Sequence, residues 1–263
     1  MNLNSERHQS QVYIENLLGC SDPKDLKQFE AEIDALILSD ETALDLNHNR
    51  KIDIVALFEK SLLAYASAIS DIETGQKLWP IVKLYYATYY SVRAELLAKN
   101  IVVFRAHKVF TITPQKDAKL ERFNNKEKSD HSLTFELAKR KLGERDILQS
   151  NSIDEVNCYE WLMAKRNWYQ YKRREAMDIS ENFIFKSLKN NISDDITLFI
   201  QDDTPIYCFS PESACLAIPT KRIQLTHKNL QKLHLKVRDE FKSQLENAIK
   251  EKAASTVIQP FLI

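Results

Sequence analysis

Glycine and proline are scarce in this chain, which has 3 Gly and 7 Pro among 263 residues. Enzyme folds that cradle a phosphate need glycine where the backbone approaches the ligand. The three glycines, Gly19, Gly75 and Gly143, stand far apart, and none belongs to a GxGxxG or GxxxxGKS/T pattern. The sequence therefore argues against phosphate-cradling enzyme folds, and its composition excludes collagen-like and linker-rich chains.

Cysteine is also infrequent, and its spacing excludes the common zinc motifs. The 4 cysteines include no CxxC pair, whereas structural zinc usually needs closely spaced thiolates or paired Cys and His. We therefore predict no metal and no cofactor. Scattered cysteines without a signal peptide indicate a reduced, cytoplasmic protein. No apolar run approaches the roughly 20 residues that span a bilayer, so we expect a soluble protein with no membrane partner.

Neither sign of charge dominates the whole chain, but charge is unevenly distributed. There are 37 Lys plus Arg and 37 Asp plus Glu. Residues 1–75 contain 14 acidic and 6 basic side chains, and residues 76–190 contain 14 acidic and 22 basic ones. The middle of the chain can therefore face an anion, and the N-terminal part can face a cation. The alternative is that the two parts neutralise each other within one domain.

Apolar residues recur at helical spacing through most of the chain. Residues 76–99 give the strongest pattern, because apolar or aromatic side chains occur almost all round this helix, as in a central helix. Its tyrosines, Tyr85, Tyr86, Tyr89 and Tyr90, are expected in the core rather than in a cleft. We predict a loop at 40–51, a short strand at IVVF, and these helices: 23–39, 52–73, 76–99, 131–142, 154–190 and 226–254.

Three short β-rich runs, ITLFI, IYCF and ACLAI, lie between turn-like segments in residues 193–225. This pattern predicts a small antiparallel meander there. The predicted fold class is thus mainly α. It has a helical bundle over 1–192, the β meander over 193–225, and over 226–263 a C-terminal helix and apolar tail that pack back on the bundle.

Two segments resemble the HEPN superfamily: LYYATYYSVRAELLAKN at 84–100 and NCYEWLMAKRNWYQYKRREAMD at 157–178, with DHSLTFELAK at 130–139 between them. In that family a tyrosine-rich central helix of a small bundle precedes a helix with an Arg–polar–x–x–x–His motif. The resemblance covers roughly residues 52–190. It implies a HEPN-like bundle with a prokaryotic defence, toxin–antitoxin or CRISPR-linked role. Catalytic members are metal-independent endoribonucleases that work as dimers.

Carried over onto this chain, the motif implies Arg166, Asn167 and Tyr171 as the catalytic positions. Tyr171 stands where the family has His. His accepts a proton near neutral pH because its pKa is about 6.5, whereas a Tyr phenol, with a pKa near 10, is a poor base. Arg166 can still bind a phosphate through two N–H groups. The chain therefore keeps the anion-binding half of the motif and lacks the usual proton carrier.

Basic and aromatic side chains around Arg166 indicate contact with nucleic acid, since Arg suits phosphates and aromatic rings suit bases. On a continuous helix, positions i, i+3, i+4 and i+7 from Arg166 share one face. We assign nucleic-acid binding to Arg166, Tyr169, Gln170, Arg173 and Arg174. The alternative is that Arg166 pairs with an acid such as Glu175 and only fixes the bundle.

The remaining polar candidates are expected to have surface or structural roles. His131 and His107 are expected on the surface, although either is also considered as an unusual catalytic base. His227 and His234 would share one face of the last helix, but no third metal ligand is evident. Two acidic pairs, Asp194 with Asp195 at a strand start and Asp202 with Asp203 in a turn, could bind a divalent ion. The preference of Asp for turns accounts for both pairs without a metal.

Three functions follow from these observations. The first is a non-catalytic, HEPN-like binding subunit of a prokaryotic antiviral defence-type complex. It would be a homodimer or a complex subunit, and it would contact RNA or DNA through residues 105–145 and 165–174. The second is a metal-independent endoribonuclease that uses Arg166. The third is a helical protein–protein adaptor whose β meander and apolar tail, residues 261–263, recognise the partner.

Overall fold

The computed structural model describes residues 7–76, 78–123, 129–143, 146–172, 191–249 and 251–262. These residues are mainly helical, with a small antiparallel three-stranded sheet, which confirms the predicted fold class. Within them, no helix combines the length and the apolar character needed to cross a bilayer.

The helices of the described residues are α1 Gln9–Leu17, α2 Glu30–Ala35, α3 Asp40–Glu73, α4 Trp79–Ala98, α5 Asp130–Lys141, α6 Cys158–Asn167, α7 Ile192–Gln201, α8 Ala214–Lys232, α9 Asp239–Ala248 and α10 Lys252–Ile258. The three-stranded sheet consists of β1 Val102–Arg105, β2 Val109–Ile112 and β3 Glu121–Arg122, and a separate hairpin consists of β4 Ser152–Ile153 and β5 Val156–Asn157.

Helices α3, α4 and α8 form the centre of the molecule. The helix predicted at 76–99 is confirmed as α4, whose buried side chains lie on nearly all sides. The hydroxyls of Ser61 in α3 and Ser91 in α4 lie 2.7 Å apart, and those of Tyr65 in α3 and Thr220 in α8 lie 2.6 Å apart. These buried polar pairs fix the three helices against one another, because an unpaired hydroxyl in the core costs free energy. Helices α5 and α6 then cover the tyrosine-rich side of α4.

The loop predicted at residues 40–51 is wrong, because α3 already begins at Asp40. Ser39 caps the helix: its Oγ accepts a hydrogen bond from the backbone N–H of Thr42, which lies 3.1 Å away. The Asn-rich sequence suggests a loop because Asn favours turns. In the fold, however, Oδ1 of Asn47 accepts a hydrogen bond from Nε of Arg50 at 3.2 Å, so this amide is satisfied on the helix surface.

The location predicted for the β meander, residues 193–225, is also wrong. This segment forms α7, a 3-10 turn at Ile206–Phe209 and most of α8. Asn191 caps α7 by accepting a hydrogen bond from the backbone N–H of Ser193 at 3.0 Å. Apolar runs of four or five residues do not distinguish a strand from a buried helical turn. Tertiary packing overrides the β propensity of these runs.

The antiparallel sheet of the described residues lies earlier in the chain, at residues 102–122. Its strand order is β1–β2–β3, and Phe104 of β1 pairs with Phe110 of β2. The strand predicted at IVVF is therefore confirmed as β1. The sheet packs beside α1 and the C-terminal end of α4.

The helix predicted at 154–190 begins later than expected. Asp154 and Glu155 have φ angles of 50° and 66° and form the turn of the β4–β5 hairpin. A two-residue turn with positive φ at both positions matches the twist of a hairpin. Helix α6 follows and is capped by Asn157. Residues 173–190 lie outside the described residues.

The ends of the other predicted helices also differ from the sequence pattern. The segment predicted at 23–39 starts as a 3-10 turn, Pro23–Phe29, and continues as α2. The helix predicted at 226–254 is interrupted after α8, where His234 has a φ angle of 54°. Helices α9 and α10 follow this break, and α10 packs against α3 and α7.

Three carboxylates of α3 accept hydrogen bonds from backbone N–H groups where three other helices start. Asp53 accepts from Gln9 and Ser10 of α1 at 2.7 and 2.8 Å, Glu59 from Arg238 before α9 at 2.8 Å, and Glu73 from Ala253 and Ala254 of α10 at 3.1 Å each. Carboxylates are favourable there because the first N–H groups of a helix lack partners and carry partial positive charge. Part of the acidic excess of residues 1–75 is therefore engaged within the chain, and Glu59 also forms an ion pair with Arg238.

Candidate functional site: the Arg166 cluster

Helices α4, α5 and α6 meet around the side chain of Arg166, which is only 9% exposed. We use the name Arg166 cluster for the side chains gathered here: Tyr85, Tyr86, Tyr89, His131, Arg166, Asn167 and Tyr171. Arg166 lies at the end of α6, and its guanidinium carbon lies 5.3 Å and 5.5 Å from the ring centres of Tyr85 and Tyr86. Aromatic faces attract a guanidinium because their π-systems are negative at the face.

Neutral oxygens accept the hydrogen bonds of Arg166. Nη1 donates to Oδ1 of Asn167 at 2.9 Å, and Nη2 donates to the hydroxyl of Tyr86 at 3.0 Å. Its Nε is buried and has no hydrogen-bond partner among the described residues. Within the same residues, no carboxylate forms an ion pair with Arg166. Glu175, the acid named above as a possible partner, lies outside the described residues.

The chain turns as a π-helix directly after α6, at Trp168–Lys172. Because a π-helical turn joins residues i and i+5, it brings Tyr171 back over Arg166, and the guanidinium carbon lies 5.1 Å from the Tyr171 ring centre. The α-helical spacing predicted for Arg166, Tyr169 and Gln170 does not hold in this turn, and Arg173 lies outside the described residues. Isolated π-helical turns occur frequently at functional sites.

His131 belongs to the cluster, and its predicted place on the surface is therefore wrong. It lies in the first turn of α5, is half-buried, and its Nδ1 is 2.8 Å from the hydroxyl of Tyr85. Its ring centre is 4.5 Å from that of Tyr89 and 5.6 Å from that of Tyr86. His131 and Arg166 thus share Tyr85 and Tyr86 as neighbours.

The surroundings of His131 favour the uncharged imidazole. Burial lowers the pKa of His131 below its ordinary value of 6.5, and the positive charge of Arg166 lowers it further. Asp130 opposes this shift and Arg93 adds to it. At neutral pH, His131 is therefore a proton acceptor beside a permanent cation.

The four tyrosines of α4 divide between the core and the site. Tyr85 and Tyr89 are buried, whereas Tyr86 and Tyr90 are half-buried. Burial raises the pKa of the Tyr85 phenol, which outweighs the opposing charge of Arg166. Tyr85 therefore stays protonated at neutral pH. The expectation that these tyrosines form core holds for Tyr85 and Tyr89, but their ring edges also line the cluster.

The structure brings Arg166, Asn167 and Tyr171 together. Tyr169 is half-buried and packs on the core, and Gln170 is exposed. The binding assignments to residues 173 and 174 lie outside the described residues. Sequence reasoning did not place His131 in the cluster, because its contacts with α4 join positions 46 residues apart.

The other polar candidates have structural partners. His107 lies 3.2 Å from a carboxylate oxygen of Glu30, and His227 stacks on the ring of Phe58. His227 and His234 do not share a helical face, since α8 ends before His234. In the described residues, no group of three His, Cys, Asp or Glu side chains is arranged to hold a metal ion.

The two acidic pairs also have local structural explanations. Asp194 and Asp195 lie in the first turn of α7 rather than at a strand start. Asp202 accepts a hydrogen bond from the backbone N–H of Thr204 at 3.0 Å, as turn chemistry predicts.

A buried ionic network holds α6 in place and has no counterpart in the sequence predictions. Arg222 of α8 is 2% exposed, and its Nη1 donates to Asp146 at 3.0 Å. Its Nη2 lies 3.4 Å from Glu95 of α4. The hydroxyl of Tyr159 in α6 donates to Asp146 at 2.5 Å. This network therefore links α4, α6 and α8.

Comparisons with protein-family models, with curated proteins and with solved structures find no match to this chain. The resemblance to the HEPN superfamily thus stays a prediction.

Proposed function

We propose that the Arg166 cluster binds a phosphate group of single-stranded RNA, and that the protein acts by binding. The observation that carries this proposal is the state of Arg166: a buried guanidinium without a carboxylate partner in the described residues. A buried cation is normally paired. Its Nε retains an unused donor. A phosphate oxygen supplies both the missing charge and the missing acceptor.

Aromatic side chains beside Arg166 suit the bases of the same strand. Trp168 and Tyr171 lie on the π-helical turn and are 54% and 66% exposed. Stacking of a base on an aromatic ring contributes about 1–3 kcal/mol and tolerates any sequence. A strand that stacks on Tyr171 brings its phosphate to the guanidinium beneath that ring.

The family resemblance extends the proposal to a biological setting. We infer a HEPN-like subunit of a prokaryotic antiviral defence-type complex, acting in the cytoplasm as a homodimer or with other proteins. The adaptor alternative has less support. Phe261 and Leu262 of its proposed recognition tail are 3% and 4% exposed, and the proposed β meander is helical.

Binding of labelled single-stranded RNA, followed by fluorescence anisotropy, tests the proposal. We expect Arg166→Gln to weaken binding about tenfold, because a charge-assisted hydrogen bond contributes about 1.5–3 kcal/mol. Lys165→Gln is the matched control, since it removes the same charge from the neighbouring position, where the ammonium lies over Trp161. Equal losses in the two variants, or no binding by the unmodified protein at low salt, would contradict the proposal.

A second candidate, a metal-independent ribonuclease, is favoured by the neutral His131 beside Arg166. With Nδ1–H donating to Tyr85, Nε2 would accept the proton of an RNA 2′-hydroxyl. The 2′-oxygen would attack the adjacent phosphorus, and the bond to the 5′-oxygen would break. The 5′-oxygen would take a proton from water, leaving a 2′,3′-cyclic phosphate and a 5′-hydroxyl end. Arg166 would stabilise the negative charge on the phosphate.

Incubation of labelled RNA with the protein in EDTA distinguishes the two candidates. Cleavage that survives the chelator and disappears in both His131→Gln and Arg166→Gln would support the ribonuclease. Arg166-dependent binding without cleavage of any RNA class would support the binding protein.

A further inference from the structure

A cavity of about 440 Å³ lies between α1, α3, α4, α5 and β1. Its volume falls within the range of sites for small organic molecules, about 300–1,000 Å³. Aliphatic side chains form much of its wall, including Leu57, Leu96, Leu97, Val103, Leu133 and Leu137. The apolar lining favours a ligand with an apolar body, because binding removes the apolar surface of such a ligand from water.

Three arginines line the same cavity, and two of them have carboxylate partners. Arg7 pairs with Glu15, and Arg105 pairs with Asp130. Arg93 lies over the ring of Tyr89, with its guanidinium carbon 5.7 Å from the ring centre. It forms no ion pair with a carboxylate of the described residues, so its charge is available to a ligand.

The acidic side chains of the cavity wall are already engaged. Glu15 and Asp130 are the partners of Arg7 and Arg105. Asp53 accepts two backbone N–H groups at the start of α1. Burial alone would raise the pKa of Asp53, but hydrogen bonds from His8, Ser10 and Gln9 lower it overall. Three arginines and three carboxylates therefore line the described wall, and Arg93 is the arginine among them without a carboxylate partner.

We propose that this cavity binds a small carboxylic acid with an apolar body, such as a medium-chain fatty acid. The carboxylate meets Arg93, and the hydrocarbon lies among the leucines of α3, α4 and α5. A carboxylate fits the planar guanidinium through two parallel hydrogen bonds. An amine would meet an unneutralised cation, and a neutral alcohol would leave the charge of Arg93 unused.

The cavity is adjacent to the Arg166 cluster but separate from it. Tyr89 is the shared wall, since its ring lines the cavity and also lies against His131. Arg166 does not line the cavity. The test of acid binding and the test of RNA binding can therefore fail independently of each other. The Arg166→Gln variant should bind the acid with the same affinity as the unmodified protein.

Isothermal titration calorimetry with octanoate, octylamine and octanol tests the proposal on the full chain. The three probes share one hydrocarbon chain and differ in the charge of the head. We expect saturable binding of octanoate. The affinities for octylamine and octanol should be lower by about tenfold or more, because a charge-assisted hydrogen bond contributes about 1.5–3 kcal/mol. No saturable heat with octanoate, or equal affinity for octanoate and octylamine, would overturn the proposal.

Two variants locate the bound acid. We expect Arg93→Gln to weaken octanoate binding about tenfold, whereas Arg105→Gln, the matched control at an arginine that already has a carboxylate partner, should change it by less than about threefold. Val103→Phe places a larger side chain in the cavity wall and should weaken octanoate binding. Circular dichroism verifies that each variant is folded. If Arg93→Gln is unfolded, the selectivity among the three probes and the affinity of the Val103→Phe variant still test whether the cavity binds the acid. Unchanged affinity in Arg93→Gln or in Val103→Phe would overturn the proposal.

Discussion

Nη2 of Arg166 donates a hydrogen bond to the hydroxyl of Tyr86, which is 3.0 Å away and 80 positions earlier in the chain. This contact joins the end of α6 to the middle of α4. A neutral phenol holds the guanidinium in place without neutralising it. Among the described residues, Arg166 is therefore held in a fixed position without a carboxylate partner.

We expect Tyr86→Phe to lower the free energy of unfolding by about 1 kcal/mol or more, because it leaves a buried N–H donor of Arg166 without its acceptor. Urea unfolding measures this change. Tyr90→Phe is the control, since the ring of Tyr90 stacks on that of Tyr86 at 6.0 Å. It should change the free energy by less than about 0.5 kcal/mol. Equal effects of the two variants would argue against the contact.

The protonation of His131 should couple stability to pH. Because the fold lowers its pKa below 6.5, the unfolded chain binds this proton more readily than the folded chain. The contribution of His131 to stability is therefore complete above pH 6.5 and is lost as the pH falls through the lowered pKa. Urea unfolding between pH 8 and 5 should show the unmodified protein losing stability relative to His131→Gln. A constant difference would refute the coupling.

Asp53 should anchor α1 to α3. Asp53→Ala removes the acceptor of two N–H groups, and we expect it to lower the free energy of unfolding by about 1–2 kcal/mol. Hydrogen exchange of the α1 amides should accelerate. Because the pKa of Asp53 is lowered below 3.8, the difference from the unmodified protein should shrink as the pH falls through that lowered value. Asp34→Ala, at an exposed position of α2, is the control and should leave α1 exchange nearly unchanged.

Arg222 should be essential for stability. Arg222→Met leaves Asp146 and Glu95 buried without their cation, and removal of one partner of a buried ion pair costs about 3–5 kcal/mol. Lys228→Met removes the same charge from an exposed position of the same helix and should have little effect. Thermal unfolding distinguishes them, and similar midpoints would contradict a structural role for Arg222.

The elements that the sequence predicts well are those whose pattern is local. Helix α4 is predicted because apolar side chains surround its axis. Strand β1 is predicted because IVVF is rich in β-branched residues and is flanked by polar residues. Residues 193–225 are mistaken for strands because runs as short as ITLFI fit a strand or a buried helical turn. Their helical state is decided by packing: α7 packs against α8 and α10, and α8 packs against α3 and α4.

The candidate site is only partly visible in the sequence. The motif comparison identifies Arg166, Asn167 and Tyr171, which are neighbours along the chain. His131 enters the site through contacts with Tyr85 and Tyr89 of another helix, and no local spacing reveals such contacts. The π-helical turn after α6 likewise changes which side chains share a face, so the α-helical prediction for Tyr169 and Gln170 does not hold.

The salt dependence of RNA binding tests most directly whether the guanidinium of Arg166 meets a phosphate. Each phosphate contact on a single strand contributes about 0.7 to the slope of log K against log salt concentration. We predict that Arg166→Gln lowers the magnitude of this slope by about one such contact relative to the unmodified protein, while Lys165→Gln leaves it nearly unchanged. An unaltered slope in Arg166→Gln, with RNA still bound, would show that Arg166 touches no phosphate and would contradict the account.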